Sequence, residues 1–363
     1  MSSGGISDTQ RDIKLPKASL AALYTIFLLS GTATVLIGQI LPVLSSLHLL
    51  DDFRAALFFP FQFTGSVTGT VLAGFFSKRG KLIQTIKLGS ILMAGGILLL
   101  SGSHYLLVAI GFAANGVGIG LTLASINLLI FNLSQENASS SLSFLNFFWG
   151  AGAILAKPFV DLTAVGNQLW LPCYLLSFGI FASVAVWHLT TPGIRPGISN
   201  RLIPSKRASF RNPLVLFIIL FNFFHVGFES GIGGWLTTYS ERLEAKSGFQ
   251  LFTPIFCYFL LFVGGRAFAA YLLRIVEENI LVFIGIALIL LGVALILAAG
   301  SVYTVTLGAA IAGFGTSWIF PINLARYGKA LGDDVNNAIM PFFLAGTAGA
   351  ASTTFLIGSV SDL

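Results

Sequence analysis

The sequence predicts an all-α membrane protein of two pseudo-symmetric six-helix bundles, with the twelfth helix absent from this chain. Three observations predict it. First, the chain of 363 residues is 55% hydrophobic and only 9% charged. A soluble domain carries about 25% charged residues. Apolar surface on this scale has to face lipid. Second, short segments recur at one offset. Arg79 and Arg274 each follow a glycine-bearing hydrophobic stretch. Asn146-Phe147-Phe148 has a counterpart in Pro341-Phe342-Phe343, and Ser125-Ile126-Asn127-Leu128 in Pro321-Ile322-Asn323-Leu324. All three pairs lie 195 or 196 residues apart. A duplicated hydrophobic unit points to a transport protein with its site between the repeats. Third, Lys and Arg gather in alternate loops.

Eleven stretches are long enough to span a bilayer core, which takes about 20 residues. Span 1 (19–48) is too long for a removed signal peptide, lacks a small-residue cleavage site, and carries Gln39 and Pro42. Span 2 (54–77) holds Pro60, Gln62, Gly69 and Gly74 and runs into the basic loop Lys78-Arg79-Gly80-Lys81. Span 3 (84–101) is nearly featureless. Span 4 (104–131) has Gly111, Gly116, Gly118 and Gly120 for close helix approach, with Asn115 and Asn127. Span 5 (138–162) bears Asn146, Trp149 and Pro158, and span 6 (168–190) completes the first bundle, 1–190. A basic linker with three prolines follows, 191–211. Span 7 (212–239) holds Asn222, His225, Glu229 and Trp235; span 8 (248–273) holds Pro254, Tyr258 and Arg266. Span 9 (277–300) is plain, span 10 (302–325) holds Gly308, Gly313, Gly315, Trp318, Pro321 and Asn323, and span 11 (335–360) holds Pro341. The second bundle is thus 212–363, with five helices present. The repeat offset would start a twelfth span where the chain stops at Leu363. Truncation is the expected reason, with a natural eleven-span protein as the alternative.

If every span crosses, sixteen Lys and Arg fall on one side and four, Arg54, Lys157, Arg242 and Lys246, on the other. The expectation is a multi-pass protein of the plasma (inner) membrane with N-terminus and linker in the cytoplasm. The sequons at Asn132 and Asn137 then fall in a cytoplasmic loop and read as chance matches.

Catalytic templates are absent: no HExxH, no GxSxG and no Walker lysine loop. The expectation is no enzyme and no cofactor, with any active transport drawing on an ion gradient. Cys173 and Cys257 lie apart and suggest neither a metal nor a disulfide framework. The basic residues are loop punctuation rather than a nucleic-acid footprint, and the expected partners are the bilayer and a small solute bound by a monomer. Polar residues inside spans are costly and carry the functional candidates. Gln39, Asn127, Asn146 and Asn323 can both donate and accept, which suits a polyhydroxylated ligand. Trp149 and Trp235 offer flat faces for a sugar ring. Glu229 lies mid-span, and must be protonated, paired or beside water; it is the candidate for coupling, or else a protonated helix tie. Arg79 and Arg266 are candidates for gating.

Two six-span halves, a basic 2–3 loop and a basic central linker resemble the major facilitator superfamily over nearly the whole chain. Gly74-Phe75-Phe76-Ser77-Lys78-Arg79-Gly80-Lys81 is similar to that superfamily's 2–3 loop motif, with Lys78 where an aspartate is usual. His225-Val226-Gly227-Phe228-Glu229-Ser230-Gly231-Ile232-Gly233-Gly234-Trp235-Leu236-Thr237-Thr238-Tyr239 resembles span 7 of the branch with fucose permeases and sodium-dependent glucose transporter-like proteins. Gly264-Gly265-Arg266 and Phe320-Pro321-Ile322-Asn323 resemble it too. The resemblance implies alternating access and monosaccharide transport coupled to H⁺ or Na⁺, with spans 1, 4, 7 and 10 lining the cavity. Fucose permeases carry acids in spans 1 and 4; here those spans have none, which leaves Glu229. An exporter of an amphiphilic or apolar compound, and a non-transporting receptor or scaffold of the same fold, are the alternatives.

Overall fold

The computed structural model describes residues 15–133, 138–164, 166, 168–191, 212–244, 251–272, 275–331 and 340–361. The linker 192–211 and Arg274, singled out above, lie outside the described residues. The first half comprises α1 (Lys17–His48), α2 (Asp52–Ala56), α3 (Phe58–Lys78), α4 (Leu82–Leu99), α5 (Tyr105–Leu133), α6 (Ala138–Thr163) and α7 (Trp170–Thr190). The second comprises α8 (Pro213–Leu243), α9 (Pro254–Leu272), α10 (Glu278–Leu297), α11 (Val302–Thr316), α12 (Ile319–Leu331) and α13 (Met340–Ser361).

Among the described residues, nine spans are long and apolar enough to cross a membrane on those grounds alone. The other two of the eleven are α6, with serines at its start and Lys157 and Asp161 near its end, and α9, whose apolar part Pro254–Ala269 is short. Two spans are each two helices. Span 2 breaks at Leu57 and resumes as α3 with Pro60 in its first turn; span 10 breaks at Ser317 and resumes as α12 with Pro321 in its first turn. A first-turn proline lacks only an N–H that would have had no helical partner. The break is cheap there, whereas Pro42 and Pro158 sit inside α1 and α6.

The halves repeat their packing. In the first, α5 lies against α3 and α4, and α1 against α6; in the second, α11 lies against α9 and α10, and α8 against α13. The glycines show the match residue by residue. A Cβ on Gly152 would strike the Leu28 carbonyl, and one on Gly349 would strike the Phe223 carbonyl. Likewise Gly116 abuts the Gln62 carbonyl and Gly313 the Tyr258 carbonyl. Only a bare Cα permits helix backbones this close.

Between the halves, α1 packs on α8, α6 on α9, and α13 on α2 and α3. The side-chain hydrogen bonds, ion pairs and ring contacts seen across this boundary lie toward one end, that of His48, Asp52, Leu243 and Ser361. That end is sealed, and the end of Lys17, Arg79 and Arg326 lies opposite it.

Candidate functional site

Helix α8 begins with Pro213 behind an Asn212 cap, whose side chain accepts from Leu214 N at 3.0 Å. It then places His225 and Glu229 one turn apart on the same face. Helix α9 does the same with Tyr258, Phe262 and Arg266. The Arg266 guanidinium lies over the Phe262 ring, 4.0 Å from its centre, and Phe262 stacks on Tyr258 at 6.0 Å. Glu229 and Arg266 are half-buried and within electrostatic range of each other and of Tyr258. They nonetheless form no direct ion pair. Tyr258 is fully buried beside Thr316, whose hydroxyl donates to the Ala312 carbonyl at 2.7 Å. His225 is 6% exposed, stacks on Phe221 at 6.3 Å, and leaves Nε2 without a hydrogen bond.

The seal lies directly beyond this cluster. Gly233 and Gly234 follow Glu229 by one turn, a rise of about 6 Å, and a Cβ on Gly38 of α1 would strike the Gly233 carbonyl. Two sequence candidates belong here. Thr237 donates its hydroxyl to Gln39 Oε1 at 2.8 Å, joining the halves. Trp235 is 7% exposed, packs on Phe59 at 5.9 Å and donates Nε1 to the Thr354 carbonyl at 2.8 Å. Two ion clusters close the seam further out. Lys157 Nζ, 5% exposed at its side chain, lies 2.6 Å from Asp161 and 3.0 Å from Glu241 of the other half. Arg242 pairs with Asp52, which also accepts from the Ser361 hydroxyl at 2.7 Å.

The remaining candidates sit toward the opposite end. Asn127 donates to the Leu123 carbonyl of its own helix at 2.8 Å, and Asn323 is buried and donates to the Ile218 carbonyl of α8 at 3.2 Å. Asn146 is exposed at the start of α6. Trp149, three residues on, is half-buried between the cores of both halves, with Nε1 dry and unbonded. Arg79 is exposed, its guanidinium 3.8 Å over the Phe75 ring of its own helix. The structure therefore gathers Glu229, Arg266 and Trp149 near the middle of the molecule, places Gln39 and Trp235 in the seal, and spreads the three asparagines and Arg79 toward the opposite end. The ion clusters of the seal were missed as a group. Their signal was an acid or base at the same end of each of spans 2, 5 and 7.

A family model described as Major Facilitator Superfamily matches residues 20–360. The Glucose/mannose transporter GlcP of Bacillus subtilis (strain 168) is 22% identical over 357 residues, covering 92% of this chain and 86% of that protein. Among solved structures, the nucleoside transporter NupG superposes with a TM-score of 0.76 at 12% identity, covering 95% of this chain and 91% of that one. The transporter FucP in its outward conformation gives 0.64 at 18% identity, covering 95% and 93%. A D-xylose-proton symporter gives 0.65 at 16%, covering 94% and 95%. Eleven spans in two equivalent halves, sealed at one end beyond a charged centre, and a family match along nearly the whole length identify this chain as a member of the Major Facilitator Superfamily, a multi-pass integral membrane transporter.

Proposed function

We propose that the protein is a secondary active transporter that moves a monosaccharide, or a similar small polar solute, by alternating access coupled to H⁺ or Na⁺. The observation that carries the reading is Glu229, a carboxylate near the middle of the molecule facing Arg266 without touching it. Charge buried near the bilayer centre is costly and marks ion and substrate pathways. Glu229 gains or loses a proton, or meets a cation, as its surroundings alternate between water and closure. Relatives named for glucose and mannose and for proton-linked xylose transport support the substrate class and the coupling. The end opposite the seal faces the cytoplasm of a plasma membrane: Lys17, Arg79, Lys81, Arg326 and Lys329 lie there, while Arg54, Lys157 and Arg242 lie at the sealed end.

The test is Glu229→Gln, which keeps shape and hydrogen bonding but cannot ionise. In vesicles it should abolish gradient-driven hexose accumulation and leave counterflow exchange largely intact. Normal accumulation would end the coupling role. Export of an amphiphilic cation with no hexose flux would favour the exporter.

A further inference from the structure

We infer that Trp149, His225, Tyr258 and Arg266 form one hydrogen-bonding set for a neutral hexose, which would use Glu229 as its single charged acceptor. The inference rests on the transport reading above and adds to it the residues that hold the sugar.

Four side-chain atoms carry it. Trp149 Nε1, His225 Nε2 and Arg266 Nε are sealed from solvent and make no hydrogen bond, and Tyr258 Oη, equally sealed, has the Thr316 hydroxyl beside it. A buried polar group in a folded protein is nearly always paired, and each exception asks for an explanation such as a missing ligand or water. Several polar groups elsewhere in the same spans are engaged by packing, although Asn222 Oδ1 and Thr238 Oγ1 on α8 are also unpaired. Trp318 donates to the Leu281 carbonyl at 2.7 Å, Tyr239 to the Ile296 carbonyl at 3.0 Å, and Asn222 to the Phe342 carbonyl at 2.8 Å. Other unpaired atoms, among them Gln62 Oε1, Asn115 Oδ1 and Trp187 Nε1, are scattered through the bundle, whereas these four fall in one neighbourhood around Glu229. His225 flanks Glu229 on α8. Tyr258 and Arg266 flank Phe262 on α9. Helix α6 crosses α9 beside them, since a Cβ on Gly150 would lie 2.8 Å from Val263. That crossing brings Trp149 against the cluster containing Tyr258 and Phe262.

The chemistry of the set selects the ligand. Trp149 and Arg266 can only donate, Tyr258 and His225 can donate or accept, and Glu229 accepts when ionised. A ligand must therefore offer several acceptor oxygens and at least one O–H for the carboxylate. A ring bearing adjacent hydroxyls does both. An anionic ligand would be repelled by ionised Glu229, and an amphiphile would leave the donors dry. Trp149 comes from the first half and the other three from the second. A bound ring thus links the halves and rewards their closing together.

Binding of labelled D-glucose and D-mannose to the full chain in nanodiscs tests this, with their single-position deoxy and deoxyfluoro analogues and tetraphenylphosphonium as the amphiphilic probe. Tyr258→Phe keeps the stacked ring and Trp149→Phe keeps an aromatic body. Each should weaken hexose binding about tenfold. Each should also make one ring position indifferent to deoxygenation that matters in the wild type. Fluorine, which accepts but cannot donate, should substitute at the positions served by Trp149 and Arg266 and fail at the one served by Glu229. Thermal unfolding of each variant separates a lost contact from a lost fold. Unchanged hexose affinity in both folded variants, or uniform weakening with the same deoxy pattern, overturns the donor set while leaving hexose transport standing. Tight tetraphenylphosphonium binding with no hexose binding to the wild type overturns both.

Discussion

The two halves share one packing plan, yet they hold their polar groups differently. In the first half Gln62 donates to the Thr34 carbonyl at 2.9 Å and Asn115 to the Ala33 carbonyl at 3.4 Å, so the amides tie helices together. At the position packed like Gln62, the second half has Tyr258, a ring buried beside Thr316 of α11. Its α8 and α9 hold Glu229 and Arg266 near the membrane centre. Both halves tie helices with polar side chains; the second also holds an acid and a base, Glu229 and Arg266, that are not directly paired. A duplicated unit can divide its labour this way, since the shared glycine contacts preserve the frame while the polar positions diverge.

The largest expected effect bears on where the halves meet. Gly38→Leu puts a branched side chain into the Gly233 and Gly234 backbone. Overpacking a close contact costs about 1–3 kcal/mol or more, so the sealed state should lose its dominance. Thiol labelling of a cysteine placed at Gln39 should rise from the sealed side, and unchanged labelling would show that the seam tolerates the bulk. Next comes Lys157→Met. It leaves Asp161 and Glu241 facing each other across the seam without their cation, and removing one member of a buried pair costs about 3 kcal/mol. Reduced thermal stability and faster opening of the sealed end are expected, and Glu241→Gln in the same chain should restore part of both. The smallest effect sharpens the contrast between Asn127 and Asn323. Asn323→Ala breaks a tie to α8 and should lower stability by about 1 kcal/mol. Asn127→Ala breaks only a bond within its own helix and should leave the melting temperature unchanged. Equal melting temperatures for the two would erase the distinction.

Much of the frame was legible in the residues. Hydropathy gave eleven spans and the recurring segments gave the halves, because span length and repeat offset are properties of the chain alone. The site was legible in part. Glu229 stood out because a mid-span carboxylate is costly wherever its helix packs. Gln39 and Trp235 looked equivalent to it as polar or aromatic residues in lining spans. Thr237 and the Thr354 carbonyl, which engage them, are set by how α8 meets α1 and α13. Such pairings depend on helix rotation, which periodicity cannot resolve when glycine-rich helices are apolar on every face. Arg266, a gating candidate in the sequence, lies within electrostatic range of Glu229 of its own half.

The glycine seam also has an electrical consequence. If water reaches Glu229 from the end of Lys17 and Arg326, the membrane voltage would fall mainly across the packed layer that runs from Gly38, Gly233 and Gly234 out to Lys157 and Asp52. An elementary charge crossing the whole membrane potential exchanges about 2.3 kcal/mol per 100 mV. Glu229, one turn from the Gly233 and Gly234 contact, would then lie at the edge of that field. The motion that reopens the seam on the other side would carry its charge or its proton through most of that drop without moving the side chain far. Accumulation measured at clamped potentials would report this as a steep voltage dependence, absent in Glu229→Gln.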